Sequence, residues 1–305
     1  MKQYAYMAVI IAFFLLMLCF PGATFTGATN GLLLWFQIVL PTLLPFIIIS
    51  NFLIYTNSVH YVSRVLKPFI QKIFRVSETS CYAVLVGFLC GYPMGAKVIA
   101  DFVKTKQISL REGQYLLSFC NNTSPMFIIS FIVLQNFKNP SLLFGTLFIL
   151  FLSPVLCSFF FRNFYHRKKE SLIQENATQK PLLITFDIFD TCIMNGFETI
   201  TKVGGYIIIF SILFSFSTNL PLQWFLPTLE ISNGIPYIMN MTLSLTTTFP
   251  FVLGITSFGG FCSVAQTYSM IQGTKLSIFP YIIQKLITAL VTSLFAFLYI
   301  QFIHQ

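Results

Sequence analysis

The chain has 305 residues, of which 56% are hydrophobic and only 9% charged, with a mean hydropathy of +0.79. A soluble domain carries about 25% charged residues, so a water-facing surface is excluded and the composition reads as an all-α integral membrane protein whose first partner is the lipid bilayer. The net charge of +9 comes from lysines and arginines in short connections between apolar runs, which is the pattern of cytoplasmic loops and not of a nucleic-acid surface.

Lys2 precedes an apolar run ending at Phe20. It reads as an uncleaved first helix over residues 4–20, with a cleaved signal peptide as the alternative. Residues 31–55 form a second apolar run, and residues 59–76 are basic and amphipathic. Residues 80–103 are apolar but interrupted by Gly91-Tyr92-Pro93-Met94-Gly95, where proline removes a backbone donor and glycine loosens the chain. The piece before the interruption, residues 81–90, is about 15 Å of helix, half of the ~30 Å hydrocarbon layer. Further apolar runs cover residues 113–135, 141–161 and 197–216, with a basic stretch at 162–180 between the last two. Residues 236–272 are apolar with a break at 257–260, and residues 277–303 close the chain.

Charge selects among topologies. If residues 80–103 crossed the bilayer, the basic groups at 104–111 and 162–180 would lie on the wrong face. If they enter and return, 13 basic residues lie inside and two, Lys138 and Lys275, lie outside, as the positive-inside rule requires. This predicts a re-entrant hairpin and cytoplasmic N- and C-termini.

The second half repeats features of the first. Phe46-Ile47-Ile48-Ile49 resembles Tyr206-Ile207-Ile208-Ile209, and Leu85, Gly91 and Ser109 fall opposite Leu253, Gly259 and Ser277 at one spacing. The expected fold is an inverted-repeat, transporter-like bundle with two re-entrant hairpins, the second being residues 236–272; a separate crossing by 236–256 is the alternative. The expected division is an N-terminal helix (1–30), a first repeat with its connecting helix (31–161), a basic cytoplasmic loop with an amphipathic segment (162–196), and an inverted second repeat (197–305).

Three clusters are candidates for chemistry. Gly91, Tyr92, Pro93, Gly95 and Lys97 would offer freed backbone groups and a cation to a polar solute. The opposing reading is close packing, with Lys97 snorkelling or paired to Asp101 four residues on. Asn121-Asn122-Thr123-Ser124-Pro125 places hydrogen-bonding side chains and a proline inside an apolar run; it reads as a discontinuous helix at the midplane, against ordinary interhelical bonding. Ser257, Gly259 and Gly260, followed by Ser263 and Gln266, mark the second break, against tight helix packing. Glu198 and Lys202 read as a structural pair, and Asp187 and Asp190 as interfacial. Seven cysteines without CxxC spacing and three scattered histidines offer no metal site. No cofactor is expected, and no catalytic set is visible, so the chain is not expected to be an enzyme.

The blocks GYPMGAK (residues 91–97), LLSFCNNTSPMFII (116–129), LEISNGI (229–235) and SFGGFCSVAQ (257–266) resemble the sporulation integral membrane proteins of the nucleoside-recognition (Gate) domain class. The likeness covers most of the chain after residue 31, in the same order. Ser124 stands where a glycine is more usual, and relatives are often longer. The resemblance implies a role in spore formation of endospore-forming Gram-positive bacteria. It also implies a domain shared with nucleoside transporters and the membrane part of ferrous-iron transporters. The leading expectation is a secondary-transporter-like carrier for a small polar solute of nucleoside-like kind, bound by Gly91, Tyr92, Pro93, Gly95, Lys97, Asn121, Asn122, Ser124, Ser257, Gly259, Gly260 and Gln266. The alternative is a non-transporting scaffold needed for assembly of the spore cortex or coat.

Overall fold

The computed structural model describes residues 2–56, 58–165, 185–217 and 224–303; the basic cluster Arg167, Lys168, Lys169 and Lys180 lies outside them. Every regular element among these residues is helical. In order they are α1 (Lys2–Cys19), α2 (Pro21–Leu34), α3 (Leu40–Tyr55), α4 (Val59–Phe74), α5 (Glu78–Leu89), α6 (Met94–Lys104), α7 (Leu110–Leu117), α8 (Leu143–Tyr165), α9 (Phe186–Ser217), α10 (Ile231–Met239), α11 (Leu245–Phe258), α12 (Gly260–Ile271) and α13 (Ile278–Ile303). Among the described residues, five helical stretches are long and apolar enough to cross a bilayer: Pro21–Tyr55, Pro140–Tyr165, Phe186–Ser217, Leu245–Ile271 and Ile278–Phe302. The outer faces carry bare apolar side chains such as Phe144, 82% exposed, and Leu290, 73% exposed. A surface of that kind needs hydrocarbon around it. This is a helical membrane protein.

The first long rod differs from the expected helix at 31–55. Residues 21–34 are helical too, and a π-helical turn, Trp35–Val39, joins them to α3. The cause is packing. Gly27 and Gly31, four residues apart, lie against α9: an added Cβ would meet Ile212 Cα at 2.7 Å and Ile208 Cα at 2.9 Å. Small residues at that spacing let two membrane helices touch backbone to backbone. Trp35 seats on Gly204 and donates its indole N–H to the Ile200 carbonyl at 2.9 Å. At the other end Asn51 donates to the Cys192 carbonyl at 3.3 Å. The α2–α3 rod and α9 therefore run antiparallel. α9 itself begins at Phe186, earlier than the expected residue 197, because the segment from Asp187 continues the helix.

α5 and α6 pack against one another as a helical hairpin around Cys90–Pro93. Behind the hairpin, α7 stops at Leu117 and the chain is unwound to Ser124 before a π-helical stretch, Phe127–Phe137, resumes. Ser109 caps α7 by accepting from the Glu112 N–H at 3.1 Å.

The second expected hairpin, residues 236–272, is corrected. α11 and α12 do not fold back on each other; both run antiparallel along α13. Ser293 donates to the Pro250 carbonyl at 3.1 Å, Thr292 to Ser257 Oγ at 3.0 Å, and Thr267 lies 3.4 Å from the Tyr281 hydroxyl. Two glycines in the left-handed region, Gly259 (φ +86°) and Gly260 (φ +78°), break the rod without reversing it. The element that does reverse is shorter and lies upstream: a 3-10 turn, Leu226–Thr228, and α10. They lie so close that a Cβ on Gly234 would strike the Pro227 backbone.

A second correction concerns sidedness. The expected topology put the starts of α7 and α13 on opposite faces. Gln114 and Ser277 instead exchange two hydrogen bonds, at 2.9 and 2.8 Å, so α7 and α13 start at one face. α8 ends there too, with Gln284 donating to the Tyr165 hydroxyl at 2.7 Å.

Candidate functional site

The unwound stretch is built from glycine on one side and amides on the other. Gly87, Gly91 and Gly95, each four apart, lie along it. A Cβ on Gly87 or Gly95 would collide with the Cys120 carbonyl oxygen, and one on Gly91 (φ +86°) would lie 2.9 Å from Ser124 N. Helix interruptions at membrane depth leave backbone groups that must find partners inside the protein. Here Tyr92 N–H donates to the Asn122 carbonyl at 2.8 Å and Asn122 N–H to the Gly87 carbonyl at 3.3 Å. Asn121, fully buried, donates to Thr267 Oγ1 at 2.8 Å and the Tyr281 hydroxyl at 2.9 Å, and accepts from Ala96 N–H at 3.4 Å. Thr123 donates to the Thr256 carbonyl at 3.0 Å. The break of the first half is thus bonded directly to the broken rod of the second.

A cavity of about 60 Å³ opens where these pieces meet, room for a few waters. Four interruptions wall it: Cys90, Gly91 and Tyr92 from the hairpin, Thr123 and Ser124 from the unwound stretch, Glu230, Ile231 and Ser232 from the short reversal, and Gly259, Cys262, Ser263 and Gln266 from the broken rod. Ile38, Val39, Thr42 and Leu43 on one side and Val203 and Ile207 on the other close it with the antiparallel α2–α3 and α9 pair. The two glycine breaks approach closely: a Cβ on Gly259 would lie 3.3 Å from Tyr92 Cε1. Glu230 is 4% exposed and, among the described residues, is the sole carboxylate in the lining. It caps α10, accepting from Asn233 N–H at 2.8 Å and Asn233 Nδ2 at 3.1 Å.

Of the twelve residues picked from sequence, Gly91, Tyr92, Ser124, Gly259 and Gln266 line the cavity. Asn121 and Asn122 lie behind it. Pro93 and Gly95 belong to the hairpin, Gly260 packs 2.9 Å (as a Cβ) from the Thr228 carbonyl, and Ser257 accepts from Thr292. Lys97 donates to Asn51 Oδ1 at 2.8 Å and pairs with Asp101 at 3.1 Å, outside the lining. Glu230 and Ser232 were not picked, although a lone glutamate in an apolar stretch was a readable signal. Lys285 was missed as well. It lies in α13, 2% exposed, with its ammonium on the Asn121 carbonyl at 3.1 Å. An ionisable residue within a spanning helix marks function by default.

The fold and the cavity define a polytopic membrane protein whose helix interruptions converge on one cavity lined by both apolar and polar side chains. The chain is similar to the sporulation integral membrane protein YlbJ of Bacillus subtilis (strain 168), with 27% identity over 321 residues, covering 91% of this chain and 78% of that protein. No family model matches the chain, and no solved structure does.

Proposed function

We propose that the protein is a carrier-like membrane protein of sporulating cells that binds a small polar, nucleoside-like solute in a wider form of the cavity between its breaks, which in this structure has room for only a few waters. The observation that carries this reading is the convergence of four helix interruptions on one space lined by Glu230, Gln266, Thr123, Ser124 and Ser263. Non-helical backbone at membrane depth lines cavities in transporters for the same reason. The likeness to a sporulation integral membrane protein and the Gate-class blocks supply the biological setting.

The reading includes an inverted repeat in a new register. The α2–α3 rod matches α9, the α5–α6 hairpin matches the reversal Leu226–Met239, the unwound α7 to Phe137 segment matches α11–α12, and α8 matches α13. The support is threefold. The first pair runs antiparallel. Ser109 (φ −72°, ψ 156°) and Ser244 (φ −66°, ψ 153°) stand at the N-caps of α7 and α11. The same interval separates Leu110 from Leu143 and Leu245 from Ile278. With the N-terminus cytoplasmic, this register sends α13 outward and its end to the external face, and Lys275 joins the cytoplasmic basic residues.

A thermal-shift screen of the purified protein against nucleosides, nucleobases and amino acids tests the reading. A nucleoside that raises the midpoint in the native chain and does nothing for Glu230→Gln or Gln266→Leu is the expected result. A ligand whose shift survives both substitutions binds elsewhere and removes the cavity from the proposal.

A further inference from the structure

Lys285 interrupts an apolar run in α13 and is 2% exposed. Its ammonium donates to the Asn121 carbonyl at 3.1 Å and reaches Asn122 Oδ1 at 3.5 Å. Among the described residues it has no carboxylate partner. α11, packed along α13, carries no charged side chain, and α8 presents the Cys157 thiol toward it. A cation placed at membrane depth is costly, so something must compensate it. The compensation comes from the unwound stretch that follows α7. That helix stops at Leu117, and the Tyr115 and Leu116 carbonyls are closed by Ser118 and Cys120 N–H, but the residue four on from Asn121 is Pro125, which has no N–H to give the Asn121 carbonyl. In broken-helix carriers such unwound carbonyls and half-helix ends hold a free cation.

We propose that Lys285 is a tethered cation: its ammonium takes the place of a free cation on the Asn121 carbonyl in the unwound stretch after α7, so that stretch keeps its form behind the cavity without a bound sodium or potassium ion. Lys285 is a positioning residue. It reaches the cavity through Asn121 and Asn122, whose backbone also receives Tyr92. The inference goes beyond the carrier reading and stands without it, since its test needs no transported solute.

The test is thermal unfolding of the purified full chain. Replacing sodium by N-methylglucamine leaves the wild-type midpoint unchanged. Lys285→Ala lowers the midpoint by about 5 °C or more, a sizeable shift for a protein of this length. Millimolar n-propylammonium, the fragment the substitution removes, restores at least half of the loss, and n-propanol at the same concentration does not. Equal rescue by n-propanol makes the site a matter of volume and overturns the proposal, as does a sodium requirement in the wild type. Should the alanine variant not purify, Lys285→Arg and Lys285→Gln are compared. A folded arginine variant with an unstable glutamine variant supports the tethered charge. A glutamine variant as stable as wild type shows that the charge is dispensable and ends the idea.

Discussion

Single residues in this protein are constrained by how closely backbones approach. Gly95 is the sharpest case, since the Cys120 carbonyl fills the place of its missing Cβ. Backbone cannot swing aside as a side chain can, so Gly95→Ala is expected to destabilise the protein by about 1–3 kcal/mol, the range of overpacking. Gly205, on α9, has nothing within 4 Å of its missing Cβ, and Gly205→Ala is expected to change stability by no more than about 1 kcal/mol, the propensity term alone. Thermal unfolding in detergent compares the two; equal losses would mean that the unwound stretch does not lie against the hairpin. Gly95 was picked from sequence for the freedom glycine gives the chain. The structure assigns it a different task, close approach, which no property of the residue itself could distinguish.

At the scale of elements, the decisive feature is the broken rod α11–α12. Apolar length and two glycines are compatible with a hairpin or with a kinked crossing, and only the partner helix discriminates. In the rod, Pro250 lies beside Ser293 and Thr267 beside Tyr281. Cysteines at Pro250 and Ser293, in a background without the other cysteines, are therefore expected to form an intrachain disulfide under mild oxidation. A pair at Pro250 and Tyr281 is expected not to. The reverse pattern would restore the hairpin. The amphipathic α4 was legible because its basic residues and apolar rows alternate with helical period. The extension of the first rod back to Pro21 was not, although Gly27 and Gly31 carried the small-xxx-small signal. That signal becomes meaningful only with α9 as the opposite surface.

For the whole molecule, sidedness follows from which loops touch. The paired hydrogen bonds of Gln114 and Ser277 bring the loop holding Lys106 next to the loop holding Lys275. Single cysteines at Lys106 and Lys275 should both resist an impermeant thiol reagent in intact cells, and one at Lys138 should react. Labelling at Lys275 with protection at Lys106 would return α13 to the outward-starting topology first expected from charge. The charge count alone could not decide this, because Lys275 is a single residue and the positive-inside rule reads only sums.

Composition and periodicity by themselves determined that the chain lives in a bilayer, that it carries several long apolar helices though not where each begins, and that residues 91–95, 121–125 and 257–260 break the apolar runs. These are local properties: hydrocarbon demands apolar length, and proline, glycine and clustered amides interrupt helices wherever they stand. Tertiary structure decided which breaks pair, that Glu230 joins them in one cavity, that Lys97 turns away to Asn51 and Asp101, and that Lys285 turns in. Those outcomes depend on the direction in which distant helices run past one another. Helix direction is set by packing between segments more than a hundred residues apart, as in the bonds from Trp35 to Ile200 and from Asn121 to Tyr281, and a reading of local pattern has no access to it.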